Sequence, residues 1–344
     1  MAATFSTLCI HCIDYLIHNV IWRVEWRSIH LFPVLMKKVI VLILAVIAGC
    51  FIADRIGSNV CSAIHEHSDG ITAFKYRYLF SKCEDEMVLM GTSRCEAHYV
   101  SSIMADSPGI SVYNGGIDAS GNIYSHYAAL CLLLRHCQQS HHTPQYIGLE
   151  LSVYDFAQMS DPFNTLTYLA PYIGYDEDVD EIFRKAGTYW KYQLSHLYRY
   201  NAKIMADLAG YAVPYGKSAE NGYLKKDKPS VAPEIVDTMP STYIIDTLKV
   251  HYLNAFAKKC KDNGIFLFCM ISPCYDKAET TTYSFLHDWA KENNLWLFDY
   301  HTKGLFSNSP ELFYDNRHLW NEGAVKYTNI FVRDLKEKMQ KNLK

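Results

Sequence analysis

Three polar side chains have the types and spacing that nucleophilic catalysis requires. Ser93 lies in MGTSRCEAHYV, where the chain leaves an apolar run at Gly91 and turns toward a helical pattern. Asp315 and His318 lie three residues apart in FYDNRHLWNEGAV, near the carboxyl end. An imidazole that takes the serine proton creates a nucleophile, and a carboxylate beside the imidazole fixes its tautomer. We therefore expect Ser93 to be the nucleophile, His318 its base and Asp315 the orienting acid.

Each of these motifs also has a structural interpretation when taken alone. Serine is a favoured residue where a helix begins, and an isolated Asp-x-x-His is more often a helix cap beside a surface histidine. A third motif, SVYNGGIDASG, ends another apolar run with Asn114, Gly115 and Gly116, whose glycines let backbone approach a neighbouring group closely. Alone, it is more often a simple turn. The three motifs form one site only if the fold brings them together.

Five short apolar runs of mostly β-favouring residues predict the strands that would do so. They lie at 85–91, 109–115, 145–151, 264–271 and 295–300. Amphipathic helices are predicted between them, at 124–137, 244–263 and 282–294. Strands alternating with helices predict an α/β fold with three α/β/α layers and a five-stranded parallel, flavodoxin-like sheet. The carboxyl ends of its strands gather at one edge, where the three motifs would meet.

Residues 156–243 break this alternation of strands and helices. They contain no strand pattern, a helical stretch at 180–200 and the run KKDKPSVAPEIVDTMP. We interpret them as a helical insertion between the third and fourth strands that caps the site. Its aromatic side chains could stack on sugar rings, or pack the cap onto the sheet. They are Tyr172, Tyr175, Tyr189, Trp190, Tyr192, Tyr198 and Tyr200.

The apolar run VIVLILAVIAGCFIA at 39–53 predicts a membrane-targeting segment. Lys37 and Lys38 precede it, and Asp54 and Arg55 follow. Fifteen helical residues span about 22 Å, which is short of a hydrocarbon core of about 30 Å, so the segment is marginal as a spanning helix and fits an export signal or a short signal anchor better. The lysine pair favours a cytoplasmic amino end. The chain after Arg55 is therefore expected outside the cytoplasm, in a bacterial cell envelope.

Two alternatives concern the same segment. The sequence from Met36 has the order of a bacterial signal sequence, so translation is expected to start there, which leaves 1–35 as an upstream extension. Cys50 closes a run that is similar to a lipoprotein processing box, so a lipid-modified Cys50 stands against an uncleaved anchor over 36–55. Residues 56–84 are expected to link this segment to the folded domain.

Charge and cysteine spacing exclude other classes of function. The formal net charge of −3 over 344 residues gives no electrostatic support for a nucleic-acid partner. Cys9 and Cys12 form one Cys-x-x-Cys without a second pair, so no metal site is expected. The turn GTSRCEAH contains no GxGxxG or GxxxxGK phosphate loop, which disfavours a flavodoxin-like nucleotide binder. No cofactor is expected.

The ordered set MGTSR, YNGG and DNRHL resembles the SGNH/GDSL hydrolase superfamily over residues 85–335. It is most similar to the membrane-anchored bacterial branch that includes the alginate O-acetylation proteins and the D-alanine transfer proteins. The resemblance implies an oxyanion hole formed by the Ser93 backbone N–H and Gly116. It also implies substrate contacts from Asn114 and Arg94.

One block of the superfamily pattern is absent. An asparagine normally follows the third strand in a GxND loop, whereas this chain continues into LELSVYDF at 149–156. Ser152 is the nearest hydroxyl donor by position, and a charged Asp155 would repel an oxyanion. One such donor is worth about 2.7 to 4 kcal/mol of transition-state stabilisation.

The resemblance therefore leaves two functions open. The first is an extracytoplasmic serine esterase or O-acyltransferase that acts on acyl groups, foremost acetyl, of a glycan or cell-envelope polymer. Its expected partners are the acylated carbohydrate, the membrane and a membrane-bound O-acyltransferase. The second is a non-catalytic SGNH-like domain that binds glycan or scaffolds an envelope complex. The intact Ser93, Asp315 and His318 favour the first, and the missing asparagine favours the second.

Overall fold

The computed structural model describes residues 32–68, 70–106, 109–118, 121–201, 220–234, 243–276 and 281–342. Cys9, Cys12 and the upstream extension before residue 32 lie outside the described residues, as do two stretches of the insertion, 202–219 and 235–242.

A five-stranded, all-parallel sheet forms the centre of the molecule, which confirms the predicted α/β/α fold. Its strands are β1 (Met87–Met90), β2 (Val112–Asn114), β3 (Tyr146–Glu150), β4 (Phe266–Ile271) and β5 (Trp296–Asp299). They pair in the order β2-β1-β3-β4-β5, with Val88 of β1 opposite Tyr113 and Ile147. Helices cover both faces of the sheet, so its central strands are buried on both sides and consist of unbroken apolar runs.

The described residues form ten α-helices, most of which cover the sheet in two layers. In chain order they are α1 (Phe32–His67), α2 (Ile71–Ser81), α3 (Ser93–His98), α4 (Ser101–Asp106), α5 (Ile123–Ser140), α6 (Glu177–Lys185), α7 (Tyr189–Leu194), α8 (Thr247–Asp262), α9 (Ser284–Glu292) and α10 (Asn321–Asn342). Helices α2, α5, α8 and α9 share one apolar core with the sheet. Helices α3, α4 and α10 share the other, so the short helix after β1 packs beside the last helix of the chain.

The helices in the described part of the insertion lie within residues 164–200, mostly beside α5. They are α6, α7 and two 3₁₀ helices, Asn164–Tyr172 and Leu197–Tyr200. Residues Val179, Ile182 and Phe183 belong to the same core as α5. A later part of the insertion crosses near Ser93, because Leu224 N–H donates to the Glu96 carbonyl at 3.0 Å.

Among the described residues, one helix has the length and apolar composition to cross a membrane, over Leu35–His67. None of its most apolar window is buried against the protein. The helix does not end where the apolar run ends, but continues to His67. Residues 56–84, which were expected to form a linker, are helical over most of their length in α1 and α2.

Candidate active site

Ser93, His318 and Asp315 form one hydrogen-bonded chain. The Ser93 Oγ and His318 Nε2 atoms are 2.7 Å apart. On the other side of the ring, His318 Nδ1 lies 2.8 Å from Asp315 Oδ2 and 2.9 Å from Oδ1. With Nδ1–H donating to the carboxylate, Nε2 is left as the acceptor for the serine proton. This is the arrangement that activates a serine nucleophile.

A tight turn between β1 and α3 presents Ser93. Gly91 has φ +156°, and a Cβ there would lie 2.8 Å from the Cβ atoms of both Cys95 and Glu150. The glycine therefore lets strand and helix meet closely at the turn for which the MGTSR motif was singled out. Thr92 is the N-cap residue and Ser93 the first residue of α3, at the carboxyl end of β1.

The three-residue spacing of Asp315 and His318 has a local cause. Asp315 Oδ1 accepts the backbone N–H groups of Arg317 and His318, each at 2.8 Å, so the same carboxylate closes the turn and orients the ring. Burial alone would raise the pKa of Asp315. The hydrogen bond and charge of His318, with the two backbone donors, instead lower it to about 2. Asp315 is therefore ionised at any pH near neutrality.

His98 holds the loop that carries His318. The Leu319 N–H donates to His98 Nε2 at 2.9 Å, and His98 Nδ1 lies 2.9 Å from the Ser272 Oγ. The ring therefore carries its proton on Nδ1. Burial, with the charges of His318, Arg94 and Lys226, holds the pKa of His98 well below its usual value, so it stays neutral. Sequence reasoning missed His98, because its only signal is its place five residues after the nucleophile on the same predicted helix.

Arg94 lines the site, but its guanidinium is already engaged. It lies 3.1 Å from Glu150 Oε1 and donates to the Leu151 carbonyl at 2.9 Å and to Cys274 Sγ at 3.1 Å. The side chain is buried, and Glu150 is buried with it. Arg94 thus holds the ends of β3 and β4 together beside the cavity. It still lines the cavity, so the substrate contact expected of Arg94 stays a prediction.

The structure does not leave the expected second oxyanion donors available. The Gly116 N–H donates to Asn114 Oδ1 at 3.0 Å. The Ser152 N–H and Oγ–H both donate to Asp155 Oδ2, at 2.7 and 2.9 Å. Of the three donors expected, only the Ser93 N–H, in the first turn of α3, is not committed to such a bond. Asp155 itself faces these donors rather than the nucleophile.

Asn114 also lies elsewhere than expected. It is fully buried, and its Nδ2 donates to the carbonyls of Cys95 at 2.7 Å and Tyr99 at 2.9 Å. It does not line the cavity at Ser93. Its amide satisfies backbone groups at the end of α3, because that helix is too short to pair them internally. Asn114 therefore ties α3 to β2, and the substrate contact expected of it is not supported.

A cavity of about 300 Å³ opens beside Ser93 and His318. It is lined by Thr92, Ser93, Arg94, Asp118, Gly121, Ser152, Tyr154, Cys274, Arg317 and His318. Within it, Arg317 donates to the Tyr154 hydroxyl at 3.1 Å. Asp118, Tyr154, Cys274 and Arg317 were not singled out from sequence, although each follows a strand or precedes the last helix. The cavity holds a small group, and a large ligand would extend outside it.

None of the seven aromatic residues proposed for sugar stacking lines this cavity. Tyr172, Tyr175 and Tyr200 instead line a separate cavity of about 640 Å³, between α1, α2 and α5. Tyr189 and Tyr192 pack against the core, and Trp190 is 76% exposed. The described part of the insertion therefore places no aromatic cap on Ser93, since these rings lie on the α5 side of the molecule.

Two groups of described side chains have the residue types of metal ligands. They are Cys274, Asp276 and His301, and Cys131, Asp176 and Asp178. In the first group, His301 Nε2 is 2.7 Å from Asp276 Oδ1, and the Arg94 guanidinium lies against the Cys274 sulfur. The positive charge of Arg94 beside that sulfur would repel a metal cation bound there. Neither group contains Ser93 or His318, although Cys274 lines the cavity beside them.

No known protein family and no curated protein matches this sequence. Among solved structures, a crystal structure of a putative acylhydrolase from Bacteroides fragilis is similar over 75% of this chain and 89% of its own. The two are 12% identical, and the TM-score is 0.37. A likeness at this level says nothing about the reaction, so the function must be inferred from the site.

Proposed function

We propose that this protein is a serine esterase or O-acyltransferase that forms an acyl-enzyme on Ser93. The observation that carries this proposal is the continuous chain from Ser93 Oγ through the His318 ring to Asp315, at the wall of a cavity. Hydrogen-bonded Ser–His–Asp sets with the serine at a strand-to-helix turn perform acyl transfer on unrelated folds.

The reaction takes two half-steps. Ser93 Oγ attacks the ester carbonyl while its proton passes to His318 Nε2, and Asp315 stabilises the imidazolium that results. His318 then gives the proton to the leaving alkoxide as the C–O bond breaks, which leaves Ser93 acylated. In the second half-step a water or sugar hydroxyl loses its proton to His318 and attacks the acyl carbon. The proton returns to Ser93 as it leaves.

The size of the cavity favours a small acyl group. About 300 Å³ accommodates an acetyl group and part of the sugar that carries it. With Gly116 and Ser152 donors bonded elsewhere, the oxyanion hole rests on the Ser93 N–H and on any donor that rearranges with substrate. An oxyanion hole short of one donor costs about 10²- to 10³-fold in kcat. We therefore expect modest turnover.

The length and composition of α1 support an envelope location for this activity. Lys37 and Lys38 lie in this helix just before its apolar run and favour a cytoplasmic amino end, which supports a domain outside the cytoplasm. Glycans and envelope polymers carry O-acyl groups there, and a membrane-bound O-acyltransferase is the partner we propose as the source of acyl groups.

A fluorophosphonate probe tests the acyl-enzyme directly. We expect it to label the wild type and the control Ser307→Ala, whose serine is exposed and outside the cavity, but not Ser93→Ala. Equal labelling of Ser93→Ala would remove the proposal. Failure to label any folded variant would favour the second candidate, a non-catalytic glycan-binding or scaffold domain, which the engaged Gly116 and Ser152 donors support.

The choice between hydrolysis and transfer needs a second experiment. A small activated acetyl ester is supplied with and without an oligosaccharide acceptor, and both products are followed by mass spectrometry. An acetylated sugar that is absent with Ser93→Ala would establish transfer. Acetate release that no acceptor changes would establish an esterase.

A further inference from the structure

Helix α1 continues past its apolar run and is fixed to the folded domain. Asp54, the first residue after that run, accepts a hydrogen bond from Ser195 Oγ. It also accepts the backbone N–H groups of His196 at 2.9 Å and Leu197 at 3.3 Å. Three donors on one carboxylate fix the height of this segment along α1. The contact lies directly at the end of the apolar run.

The segment after Ser195 runs along α1 away from the apolar run. A Cβ on Gly57 would lie 3.3 Å from Leu197, one turn beyond Asp54. Tyr200 packs still further along, against Cys61 and Ile64. The order of contacts places later residues of this segment farther from the apolar end. The residues before Ser195, which form α7, are therefore nearest to that end.

Helix α7, which directly precedes Ser195, exposes two large apolar side chains. Trp190 is 76% exposed and Leu194 is 80% exposed. They are four residues apart, so they lie on the same face of the helix. Lys191 is exposed between them. Gln193, on the same helix, has its carbonyl 3.5 Å from the Arg55 guanidinium, which keeps α7 close to the end of the apolar run.

Because the apolar run is short, the residues that flank it, including those near the Trp190–Leu194 face of α7, lie close to the lipid. Residues 39–53 span about 22 Å, less than a hydrocarbon core of about 30 Å, so a bilayer crossed by α1 must thin or pull in the flanking residues. The headgroup layer adds about 5 to 7 Å on each side. Leu194 directly precedes Ser195, which contacts Asp54, and Trp190 lies about one helical turn before Leu194. Tryptophan is favoured at this depth, because its ring is apolar and its N–H needs a polar partner.

We propose that the Trp190–Leu194 face of α7 is a membrane-interface surface that inserts in the headgroup layer of the bilayer crossed by α1. This rests on the membrane location given under the proposed function, and not on the chemistry at Ser93. The surface is a second contact with the bilayer besides α1, and two contacts fix the tilt of the domain as well as its height.

Tryptophan fluorescence of the full chain in lipid nanodiscs tests this surface. Nanodiscs are made with ordinary or brominated phosphatidylcholine, and quenching by bromine is compared for wild type, Trp190→Phe and the control Trp320→Phe. We expect Trp190→Phe to remove a bromine-quenched component that Trp320→Phe retains. We also expect Leu194→Glu to reduce that quenching at least twofold, while Val231→Glu leaves it unchanged, although Val231 is as exposed as Trp190.

Three results would overturn the proposal. Equal quenching of wild type and Trp190→Phe would show that Trp190 is out of reach of lipid. A Trp190 that is shielded from iodide but not quenched by bromine would indicate a protein partner instead. If alkaline carbonate extracts the wild type from membranes, α1 does not cross the bilayer, and the proposal loses its basis. Labelling of Ser93 in the same samples reports on the proposed function separately, because loss of labelling leaves the quenching result intact.

Discussion

His98 Nε2 accepts the backbone N–H of Leu319 at 2.9 Å, and this bond joins the two halves of the active site. Ser93 is the first residue of α3 and His98 its last. One short helix therefore presents the nucleophile and holds the loop of the base. His98 is buried, its ring contacts Ser272 and Tyr327, and Ser272 in turn donates to Glu150 at the end of β3. These contacts fix the position of His98.

We expect His98→Phe to lower kcat by about 10- to 100-fold with little change in KM, because a loose His318 loop disturbs the transition state more than substrate binding. His98→Gln, whose side-chain oxygen can accept the Leu319 N–H, should recover most of the loss. Steady-state kinetics on a soluble acetyl ester measures both parameters. A Gln variant as poor as Phe, with both folded by circular dichroism, would show that the bond to Leu319 is not the cause.

Ser93 and His318 are expected to act as a unit. The single variants Ser93→Ala and His318→Ala should each lower kcat by about 10³-fold or more, and the double variant should be no worse than either alone. The bond at 2.7 Å between the two side chains is the reason. Additive losses in the double variant, measured on the same ester, would mean that the two residues contribute independently.

Asp315 has a folded-state pKa of about 2, below its unfolded value of about 3.8. Its stabilisation is therefore present above pH 4 and is lost as the pH falls through 2. Because its side chain is 42% exposed, we discount this to about 1 kcal/mol. Asp315→Asn should be less stable than wild type at pH 7, and the difference should shrink by about half at pH 3. Guanidinium unfolding in detergent at both values checks this, and a constant difference would contradict it.

Ser152 tests whether the hydroxyl after β3 takes part in catalysis. Its N–H and Oγ–H both donate to Asp155, so Ser152→Ala should lower kcat by less than about 10-fold, against the 10²- to 10³-fold typical of an oxyanion donor. The comparison is made by kcat on the same ester. A loss above 100-fold would show that the Ser152 hydroxyl turns from Asp155 to the substrate during the reaction.

The apolar runs predicted all five strands, because buried parallel strands tolerate little besides apolar side chains. The motifs at Ser93 and His318 were informative for a related reason: each is a local turn whose geometry depends on adjacent residues, such as Asp315 capping its own loop. The sequence could not predict that the Gly116 and Ser152 donors are already hydrogen-bonded to other residues. This depends on which of several nearby acceptors each donor binds in the folded protein. The packing of the insertion on α5 was missed because an amphipathic helix does not specify its partner.

In the membrane location proposed above, the continuous helix α1 also limits where the cavity can work. A flexible linker of the length expected for 56–84 would let the domain sample distances of about 30 Å from its anchor. Helix α1, bound through Asp54, instead holds the domain at one distance and allows mainly rotation and lateral diffusion. The distance between Ser93 and the membrane surface is then nearly constant, so Ser93 moves within a thin layer parallel to the membrane. An envelope polymer, the proposed substrate, would then be reached by Ser93 only where its segments pass through that layer.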